Sequence, residues 1–295
     1  MTPQVEDRAL GALLGLAVGD ALGTTLEFKR RDTYPPLTDM IGGGPFRLKP
    51  GQWTDDTAMA IALAESLIAR RGLDERDLME RFAAWWRRGD YSCTGTCFDI
   101  GITTSAAIER FEQSGDPLAG ATHPTSAGNG SLMRLAPVAL HGLARGGEVA
   151  RRQSATTHGA AACLDACEHF AGLLHRAITG EGRDAVLAPY AVEAEPAIAA
   201  ILGGSWRGKR RQDIASSGYV AHSLEAALWA VAETGGFRDA VLLAANLGDD
   251  ADTTAAITGQ LAGALYGRSS IPAEWLDKLA WRERIEALGR ALLEP

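Results

Sequence analysis

The sequence predicts an all-α protein, with one compact helical domain over residues 1–295. Alanine and leucine dominate the apolar segments, and no series of alternating Val, Ile and Thr residues indicates β-strands. With 46% hydrophobic and 22% charged residues, the composition is typical of a globular protein. No linker, low-complexity segment or repeat of solenoid period divides the chain, which favours a single domain over a helical array.

The predicted helices are apolar segments of helical period that end at glycine, proline or polar residues. The first contains the acidic residues Glu6 and Asp7 at its start, and two later helices open on Asp/Thr runs that suit helix N-termini. The breakers lie at residues 34–36, 42–45, 122–124, 203–204 and 235–236. The helices are expected at residues 6–22, 56–70, 74–88, 101–113, 131–144, 147–153, 160–179, 183–202, 220–234, 236–246, 253–266 and 281–293.

The first predicted helix is apolar enough to be mistaken for a signal peptide or a membrane span. However, Glu6 and Asp7 stand where a signal peptide carries positive charge, and Asp20 interrupts the apolar run. We therefore expect no membrane association and a cytoplasmic location. The net charge of −8 argues against general nucleic-acid binding, which needs a basic surface, but it allows a small anionic ligand in a local pocket.

Glycines recur every fourth residue along two of the predicted helices. A glycine inside a helix costs about 1 kcal/mol relative to alanine, so repetition on one face is expected where two helix backbones pack closely. We expect these two helices to pack tightly and to bring their ends to a common centre. The glycines are Gly11, Gly15, Gly19 and Gly23 in the first helix, and Gly259, Gly263 and Gly267 in the second.

Two acidic clusters nearly 200 positions apart each begin a predicted helix. Either one alone is typical of an ordinary helix cap. If the two ends converge, their five aspartates would repel one another unless a cation lay between them, and hard oxygen ligands indicate Mg²⁺, Mn²⁺ or Ca²⁺. We expect Thr54 and Thr253 to add hydroxyl ligands, whereas Asp249 fits a capping or solvent-exposed role equally well. The clusters are Thr54-Asp55-Asp56-Thr57 and Asp249-Asp250-Ala251-Asp252-Thr253-Thr254.

A third motif, Gly128-Asn129-Gly130-Ser131, precedes another predicted helix. Consecutive main-chain amides before a helix N-terminus make an anion cradle that suits phosphate. The motif lacks the Lys and Ser/Thr of a P-loop and does not follow a strand, so it does not indicate an NTPase. An ordinary capped turn is the alternative interpretation.

Three single residues leave a structural and a functional interpretation open. Asp99 stands just before an apolar helical segment and is either an N-cap or a catalytic carboxylate, with the pattern alone favouring the cap. Glu27 follows the first glycine-rich helix with the same ambiguity. His158 lies at a helix start, where a lone histidine is more often structural than functional.

The four cysteines form two pairs with a spacing of four residues, Cys93/Cys97 and Cys163/Cys167. That spacing places both thiols of a pair on one helical face, which permits a Cys₄ zinc site. It differs from the usual zinc knuckle, and the second pair lies in an apolar helical pattern. Buried, reduced thiols are therefore the expected state.

Together the motifs resemble those of the ADP-ribosylglycohydrolases, particularly the bacterial dinitrogenase-reductase-activating branch. The resemblance covers nearly the whole chain in order, and its specific part is the pair of acidic motifs. The matching segments are Gly15-x₃-Gly19-Asp20-Ala21-Leu22-Gly23 with Glu27, Gly51-Gln52-Trp53-Thr54-Asp55-Asp56-Thr57, Phe98-Asp99-Ile100-Gly101, Gly128-Asn129-Gly130-Ser131-Leu132-Met133-Arg134, Ser217-Gly218-Tyr219-Val220 and Asp250-Ala251-Asp252-Thr253-Thr254.

The resemblance implies a single orthogonal bundle of helices with two Mg²⁺ or Mn²⁺ ions at the mouth of a cleft. The metal ligands it implies are Thr54, Asp55, Asp56, Asp250, Asp252 and Thr253. The substrate contacts it implies are Gly128, Asn129, Gly130, Ser131, Met133, His158 and Tyr219. The carboxylates it implies for catalysis are Asp55, Asp56, Asp99 and Glu27.

The implied function is metal-dependent removal of ADP-ribose from modified proteins by a monomeric enzyme, with ADP-ribose as the product. The N-glycosidic bond to arginine is the expected target, broken through an oxocarbenium-like state while one of the four carboxylates transfers a proton. Two departures from the family pattern bear on this expectation. Asp249 replaces a usual glycine and adds charge near the metals, and Ile102 stands where the branch often carries an asparagine. The second departure keeps another linkage, to serine, a nucleic-acid end or a small conjugate, as an alternative.

Two functions of other classes share part of the pattern. An isoprenyl-diphosphate synthase also combines helices with Mg²⁺, but it uses Asp-Asp-x-x-Asp within helices and a deep aromatic pocket. This chain has Asp-Asp-x-Asp at a helix start, and only 6% of its residues are aromatic. A family member that binds ADP-ribose without catalysis is the other alternative, and the intact set of six implied metal ligands argues against it.

Overall fold

The computed structural model describes residues 2–141 and 146–294, and these residues form α-helices and short 3₁₀ turns without a β-strand. The prediction of an all-α fold is confirmed. The helices are α1 (Pro3–Gly23), α2 (Asp55–Arg70), α3 (Glu75–Arg88), α4 (Ile102–Ser114), α5 (Ala136–His141), α6 (Gly146–Ala155), α7 (Ala161–Thr179), α8 (Arg183–Val186), α9 (Pro196–Leu202), α10 (Val220–Ala232), α11 (Phe237–Ala245), α12 (Ala251–Tyr266), α13 (Ala273–Lys278) and α14 (Arg282–Leu292).

Helices α1 and α12 run antiparallel in direct backbone contact at the centre of the molecule. A Cβ atom added at Gly15 would collide with the carbonyl oxygen of Gly259, and one added at Gly23 would collide with that of Ala251. The expectation that the two glycine-lined helices pack closely is therefore confirmed. Gly267 ends α12 with a φ of 84° and also lies at this contact, because its carbonyl carbon would be 2.7 Å from a Cβ atom added at Gly11.

Helix α1 is the core helix of the fold. The helical segment over residues 3–26 is long and apolar enough to cross a membrane, but its most apolar stretch is entirely buried inside the protein. Helices α7, α11 and α14 cover the faces of α1 that α12 leaves open. The apolar run that starts the sequence thus contributes to the hydrophobic core.

Two of the predicted helices differ from those observed, and proline explains both differences. The helix predicted over residues 131–144 begins only at Ala136, because Pro137 has no amide hydrogen with which to continue a helix backwards. The part of that prediction over residues 142–144 lies outside the described residues. The helix predicted over residues 183–202 is divided into α8 and α9, with Pro189 in the break and Pro196 at the first position of α9.

The helices that carry the remaining site residues surround the central pair. Helix α2 contacts both α1 and α12, and α10 packs on α12. The short α13, which the sequence analysis did not predict, follows α12 after one 3₁₀ turn. Because α1 and α12 are antiparallel, the C-terminal end of α1 lies beside the N-terminus of α12.

Candidate active site

The N-termini of α2 and α12 meet next to the C-terminal end of α1. The hydroxyl oxygen of Thr54 lies 3.3 Å from a carboxylate oxygen of Asp252, and the hydroxyl oxygen of Thr253 lies 3.4 Å from one of Asp56. All four side chains are buried. The two acidic clusters therefore converge, as the glycine-lined packing of α1 and α12 led us to expect.

Asp20 of α1 holds the start of α2, a role that the sequence analysis missed. Its carboxylate accepts hydrogen bonds from the amide and hydroxyl of Thr54, at 2.8 and 2.9 Å, and from those of Thr57, at 3.0 and 2.6 Å. The Thr54 side chain itself makes no capping hydrogen bond, so Asp20 caps the helix instead. A carboxylate inside an otherwise apolar helix was the available signal, because such a group is rarely buried without partners.

Glu27 caps the start of α12 in a similar way. One of its carboxylate oxygens accepts hydrogen bonds from the amides of Ala251, at 2.8 Å, and Asp252, at 3.3 Å. A negative group is favoured at this end of a helix by the helix dipole. Of the two interpretations of Glu27, the structural one is therefore realised, and the catalytic one stays open because the side chain also borders the cleft described below.

Two overlapping groups of carboxylates have the spacing of a cation site. Within each group the candidate ligand oxygens lie within 4.8 Å of one another. The groups are Asp20, Asp56 and Asp252, and Glu27, Asp250 and Asp252. One oxygen of Asp56 is buried and has no hydrogen-bond partner among the described residues. Because a cation would satisfy this orphaned oxygen and the donors are all oxygens, the residues present fit Mg²⁺ or Mn²⁺.

Burial and mutual repulsion shift the protonation of this cluster. Burial, followed by the charge of Asp252, raises the pKa of Asp20 to about 7 and that of Asp250 to about 7. Burial is also the main cause that raises the pKa values of Asp55 and Asp56 well above the ordinary aspartate range. A cluster with such pKa values retains protons unless a cation replaces them.

Asn129 connects the glycine-rich loop to the acidic cluster. Its side-chain amide donates to a carboxylate oxygen of Asp250 at 2.6 Å and to the hydroxyl of Ser223 at 2.8 Å. Its main-chain amide donates to the carbonyl of Gly218 at 3.1 Å. Asn129 thus orients one of the implied metal ligands and fixes the loop at the same time.

Gly128 and Gly130 are required because the imidazole of His158 lies directly against this loop. A Cβ atom at Gly130 would lie 2.7 Å from Cε1 of His158, and one at Gly128 would lie 3.2 Å from Nε2. Burial, together with the positive charge of Arg134, lowers the pKa of His158 to about 3. The histidine is therefore neutral and supports the loop, while Nδ1 hydrogen-bonds with the hydroxyl of Thr157 at 2.8 Å.

Arg134 is a second residue whose role the sequence analysis did not identify. Its buried guanidinium donates to the carbonyl of Gly130 at 3.2 Å, to the carbonyl of Gln153 at 2.9 Å and to the hydroxyl of Thr157 at 2.9 Å. It also lies over the ring of Phe82, 4.6 Å from the centroid. Arg134 therefore ties the glycine-rich loop to the segment that carries His158.

The acidic cluster forms part of the wall of a cleft with a volume of about 720 Å³. The cleft lies where the glycine-rich loop, the end of α1 and the start of α12 come together. Thr54 and Asp56 are buried behind its surface. The predicted site residues that line the cleft are Glu27, Asp55, Asp99, Gly128, Asn129, Gly130, Met133, His158, Asp250, Asp252 and Thr253.

Two predicted substrate contacts have side chains engaged in packing. The hydroxyl of Ser131 is fully buried and accepts hydrogen bonds from the hydroxyl of Ser154 at 2.8 Å and from the thiol of Cys167 at 3.4 Å. Tyr219 is half-buried at the start of α10, and its ring packs edge-on against His222 with centroids 5.1 Å apart. Substrate contact by either residue stays a prediction, and for Ser131 it is limited to the main chain.

Asp99 is not the N-cap that the sequence pattern favoured. Helix α4 begins at Ile102 with Gly101 in the N-cap position, and Asp99 lies further back with a left-handed φ of 60°. Its carboxyl borders the cleft, and burial together with the charge of Asp252 raises its pKa to about 9. A strongly shifted carboxyl in a cleft is typical of a functional group, so the geometry favours the catalytic interpretation.

The cysteines are free thiols, as expected, but only Cys163 and Cys167 are buried as predicted, whereas Cys93 and Cys97 are half-buried. The thiol of Cys163 lies 3.2 Å from the carbonyl oxygen of Gly128, and that of Cys93 lies 3.4 Å from the carbonyl oxygen of Trp53. Neither group of candidate metal ligands in the described part of the chain includes a cysteine. These contacts agree with the packing role rather than with a zinc site.

Comparison with known proteins places the chain in a family. A sequence model of the ADP-ribosylglycohydrolase family matches residues 1–295. The chain is 48% identical to ADP-ribosylarginine hydrolase Tri1 of Serratia proteamaculans, over 99% of this chain and 81% of the relative. It is 47% identical to the protein of the same name from Pseudomonas putida, over 100% of this chain and 80% of the relative.

A more distant relative and a solved structure agree with that assignment. The chain is 38% identical to ADP-ribosyl-[dinitrogen reductase] glycohydrolase of Rhodospirillum rubrum, over 94% of this chain and 92% of the relative. A solved structure described as an ADP-ribosylglycohydrolase-related protein complex matches with a TM-score of 0.89 and 44% identity, covering 99% of both chains. The chain belongs to the ADP-ribosylglycohydrolase family and is a glycohydrolase.

Proposed function

We propose that this protein removes ADP-ribose from arginine side chains of modified proteins, with two divalent cations, Mg²⁺ or Mn²⁺, as cofactors. The observation that carries the proposal is the convergence of two acidic helix ends at the wall of a cleft that a glycine-rich loop also lines. Relatives that are 47–48% identical over nearly the whole chain are named ADP-ribosylarginine hydrolase. Their names favour the arginine linkage over other conjugates of ADP-ribose.

The cations would be held by the six ligands expected from the sequence together with Asp20. The carboxylate of Asp20 belongs to one of the two groups with cation-site spacing, and so does Asp56, one of whose oxygens has no hydrogen-bond partner among the described residues. Bound there, the ions supply Lewis acidity toward the ribose hydroxyls. The six expected ligands are Thr54, Asp55, Asp56, Asp250, Asp252 and Thr253.

The glycine-rich loop supplies main-chain donors for the pyrophosphate. The amides of Gly128 and Asn129 already donate to the carbonyls of Ser126 and Gly218. Those of Gly130 and Ser131 donate to no group in the described part of the chain. Of these two residues, Gly130 lines the cleft and Ser131 is fully buried, so the amide of Gly130 is the one open to phosphate oxygens, and the absence of a side chain there allows close approach.

Asp99 and Glu27 are the carboxyl groups best placed to transfer a proton. Both border the cleft and neither is among the six expected metal ligands, whereas Asp55, which also lines the cleft, is one of those ligands and Asp56 is fully buried behind it. As the bond between the anomeric carbon and the guanidine nitrogen breaks, one carboxyl donates a proton to the leaving nitrogen. Water then adds to the anomeric carbon and returns a proton to a carboxylate, which gives ADP-ribose and unmodified arginine.

Release of ADP-ribose from an arginine-ADP-ribosylated protein, measured with Mg²⁺ and again with EDTA, tests this proposal. We expect release that depends on the metal. The double variant Asp55→Asn/Asp56→Asn should retain its circular dichroism spectrum, because neutral amides relieve repulsion, and lose more than roughly 100-fold in kcat/KM, because two metal-ligand charges are gone. Asp239→Asn, in the exposed first turn of α11, is the matched control.

The remaining outcomes separate the alternatives. Full activity of the double variant would contradict the metal assignment. Release from a serine-linked or nucleic-acid conjugate, without release from arginine, would replace the arginine linkage. Tight binding of ADP-ribose with no turnover of any conjugate would favour a non-catalytic binding protein.

A further inference from the structure

Phe28 and Asp249, called the rim pair below, lie side by side at the mouth of the cleft. The amide of Phe28 donates to the carbonyl of Asp249, and the amide of Asp249 donates to the carbonyl of Lys29, both at 2.8 Å. The pair joins the segment after Glu27 to the segment before Asp250. It therefore adjoins the carboxylates of the candidate active site without belonging to either group with cation-site spacing.

Both members of the rim pair have a left-handed main chain, with φ angles of 60° and 55°. For a bulky residue such as Phe28 this conformation is an energetically unfavourable outlier. The Phe28 side chain is nevertheless 68% exposed, so burial of its ring does not offset the strain. An exposed aromatic ring held at such a cost indicates a contact with a ligand rather than core packing.

Two further aromatic residues keep the Phe28 ring in place. Phe28 packs edge-on against Phe46 with centroids 6.3 Å apart, and Phe46 packs against Phe98 with centroids 5.1 Å apart. Phe98 immediately precedes Asp99 on the neighbouring loop. The ring is thus supported on one side and remains accessible from the cleft that it lines.

The Asp249 carboxylate is exposed and makes no hydrogen bond or ion pair with the described residues. The nearby Arg31 does not neutralise it by contact. The guanidinium of Arg31 instead donates to the carbonyls of Leu247, Arg211 and Ile214, at 2.8, 2.6 and 2.6 Å. An unpaired carboxylate is therefore available at the cleft mouth, on the residue whose main chain is hydrogen-bonded to that of Phe28.

An aromatic face beside an unpaired carboxylate is a suitable receptor for a guanidinium group. The ring attracts the cation through its quadrupole, and the carboxylate accepts charge-assisted hydrogen bonds from its N–H groups. Glu27 and Asp250, the chain neighbours of the rim pair, line the same cleft, so a group bound at the rim pair lies next to carboxylates proposed for proton transfer and metal binding. A neutral linkage, such as one to serine, offers neither interaction.

We propose that the rim pair of Phe28 and Asp249 binds the guanidinium of ADP-ribosylated arginine and makes the enzyme selective for this linkage. The inference rests on the proposed function, since it concerns the target side of the same reaction. It assigns to Asp249 a specificity role in place of the capping role that the sequence left open. The cap position of α12 is occupied by Asp250.

Steady-state kinetics on an arginine-ADP-ribosylated peptide, together with the inhibition constant of free ADP-ribose, test the rim pair. Free ADP-ribose carries no guanidinium and reports on the rest of the site. Asp249→Asn removes the charge and keeps a residue that tolerates a left-handed main chain. Phe28→Leu removes the aromatic face, and Phe28→Tyr restores it. Ile41→Ala, at an apolar side chain that is 60% exposed outside the cleft, is the control.

We expect Asp249→Asn and Phe28→Leu each to lower kcat/KM for the arginine conjugate by roughly tenfold, the effect of one charge-assisted or cation–π contact. The inhibition constant of ADP-ribose should change less than twofold, and Phe28→Tyr should restore most of the rate. An unchanged kcat/KM, or an equal weakening of ADP-ribose binding, would contradict the role assigned to the rim pair while leaving the proposed function intact. Failure of the unmodified enzyme to release ADP-ribose from arginine would overturn both.

Discussion

At the residue scale, the buried carboxylates serve the protein's own helices as well as a prospective ligand. Asp20 accepts four hydrogen bonds from Thr54 and Thr57 at the start of α2. Glu27 accepts two from the amides that begin α12. Each acidic helix end is therefore held by a carboxylate from another segment, which leaves Asp55, Asp250 and Asp252 free to line the cleft, while Asp56 lies behind it.

Replacing Asp20 by asparagine should weaken this arrangement. The amide group cannot accept hydrogen bonds on both of its sides, so one pair of donors at the start of α2 loses its partner. We expect a loss of about 2 kcal/mol in the free energy of unfolding, measured by urea titration in Mg²⁺, together with reduced activity. Asp74→Asn is the matched control, because Asp74 caps α3 with its own side chain and asparagine caps equally well. Equal losses in both variants would contradict the special role of Asp20.

The buried His158 predicts a specific dependence of stability on pH. Its pKa is lowered from 6.5 to about 3, chiefly by burial, so below pH 6.5 the unfolded chain binds a proton that the folded protein excludes. The stability contributed by this residue is fully present above pH 6.5 and is lost as the pH falls. At pH 5 the loss should be about 2 kcal/mol relative to a His158→Asn variant, measured by urea titration. An identical pH slope in that variant would contradict the assignment, and the exposed His123 supplies the control His123→Asn.

At the element scale, the contact between α1 and α12 places the acidic helix ends together. Gly11, Gly15, Gly19 and Gly23 each face a main-chain carbonyl of α12 at a distance that leaves no room for a Cβ atom. Glycine inside a helix lowers helix stability relative to alanine, and the close approach of the two backbones explains why glycines nevertheless occupy these positions. The same approach fixes the distance between Asp20 and Asp252, which share one candidate cation site.

Substituting alanine for Gly15 should therefore destabilise the fold, although alanine is the better helix former. The added methyl would force α1 and α12 apart, and we expect a loss of roughly 2–4 kcal/mol in the free energy of unfolding. Gly172→Ala in α7 is the matched control: the site is exposed with no atom near the added methyl, so stability should rise by up to about 1 kcal/mol. Thermal or urea unfolding of both variants tests this, and a gain in stability at Gly15 would contradict the backbone contact.

At the scale of the whole molecule, the folded state brings together carboxylates that are far apart in the unfolded chain. Burial raises the pKa values of Asp55 and Asp56, which shows that the assembled cluster disfavours its own charge. A ligand that binds only the folded protein adds to its stability by mass action. Divalent cations should therefore stabilise the native protein.

We expect Mg²⁺ at about 100 times its dissociation constant to increase the free energy of unfolding by roughly 2.7 kcal/mol over the value in EDTA. Differential scanning calorimetry should show the corresponding rise in Tm. The increase should disappear in Asp55→Asn/Asp56→Asn and persist in Asp239→Asn, which keeps the cluster. A Tm that is the same in Mg²⁺ and EDTA would contradict a cation site that forms on folding.

Local patterns were sufficient to predict most of the helices and the meeting of the two acidic clusters, whereas Met133 and His158 were expected at the cleft only from the family resemblance. Predictions were wrong where a helix was extended through proline, at Pro137 and across Pro189, because apolar periodicity outweighed a missing amide donor. Asp99 was favoured as an N-cap because it precedes an apolar helix, but the chain turns left-handed there and Gly101 takes that position. The short α13 has too few residues for a periodic signal.

The sequence alone determined which groups could bind a ligand or take part in catalysis. These are two hydroxyl–carboxylate runs at helix starts and a glycine-rich loop, together with two glycine-lined helices that were expected to pack against each other. Those features depend on residue type and on spacing within a few positions. Tertiary structure alone decided how Asp20, Arg134 and the Phe28–Asp249 rim pair act, because their partners lie many positions away. Only the folded chain shows that the buried carboxylate of Asp20 accepts hydrogen bonds and that the exposed carboxylate of Asp249 has no partner among the described residues.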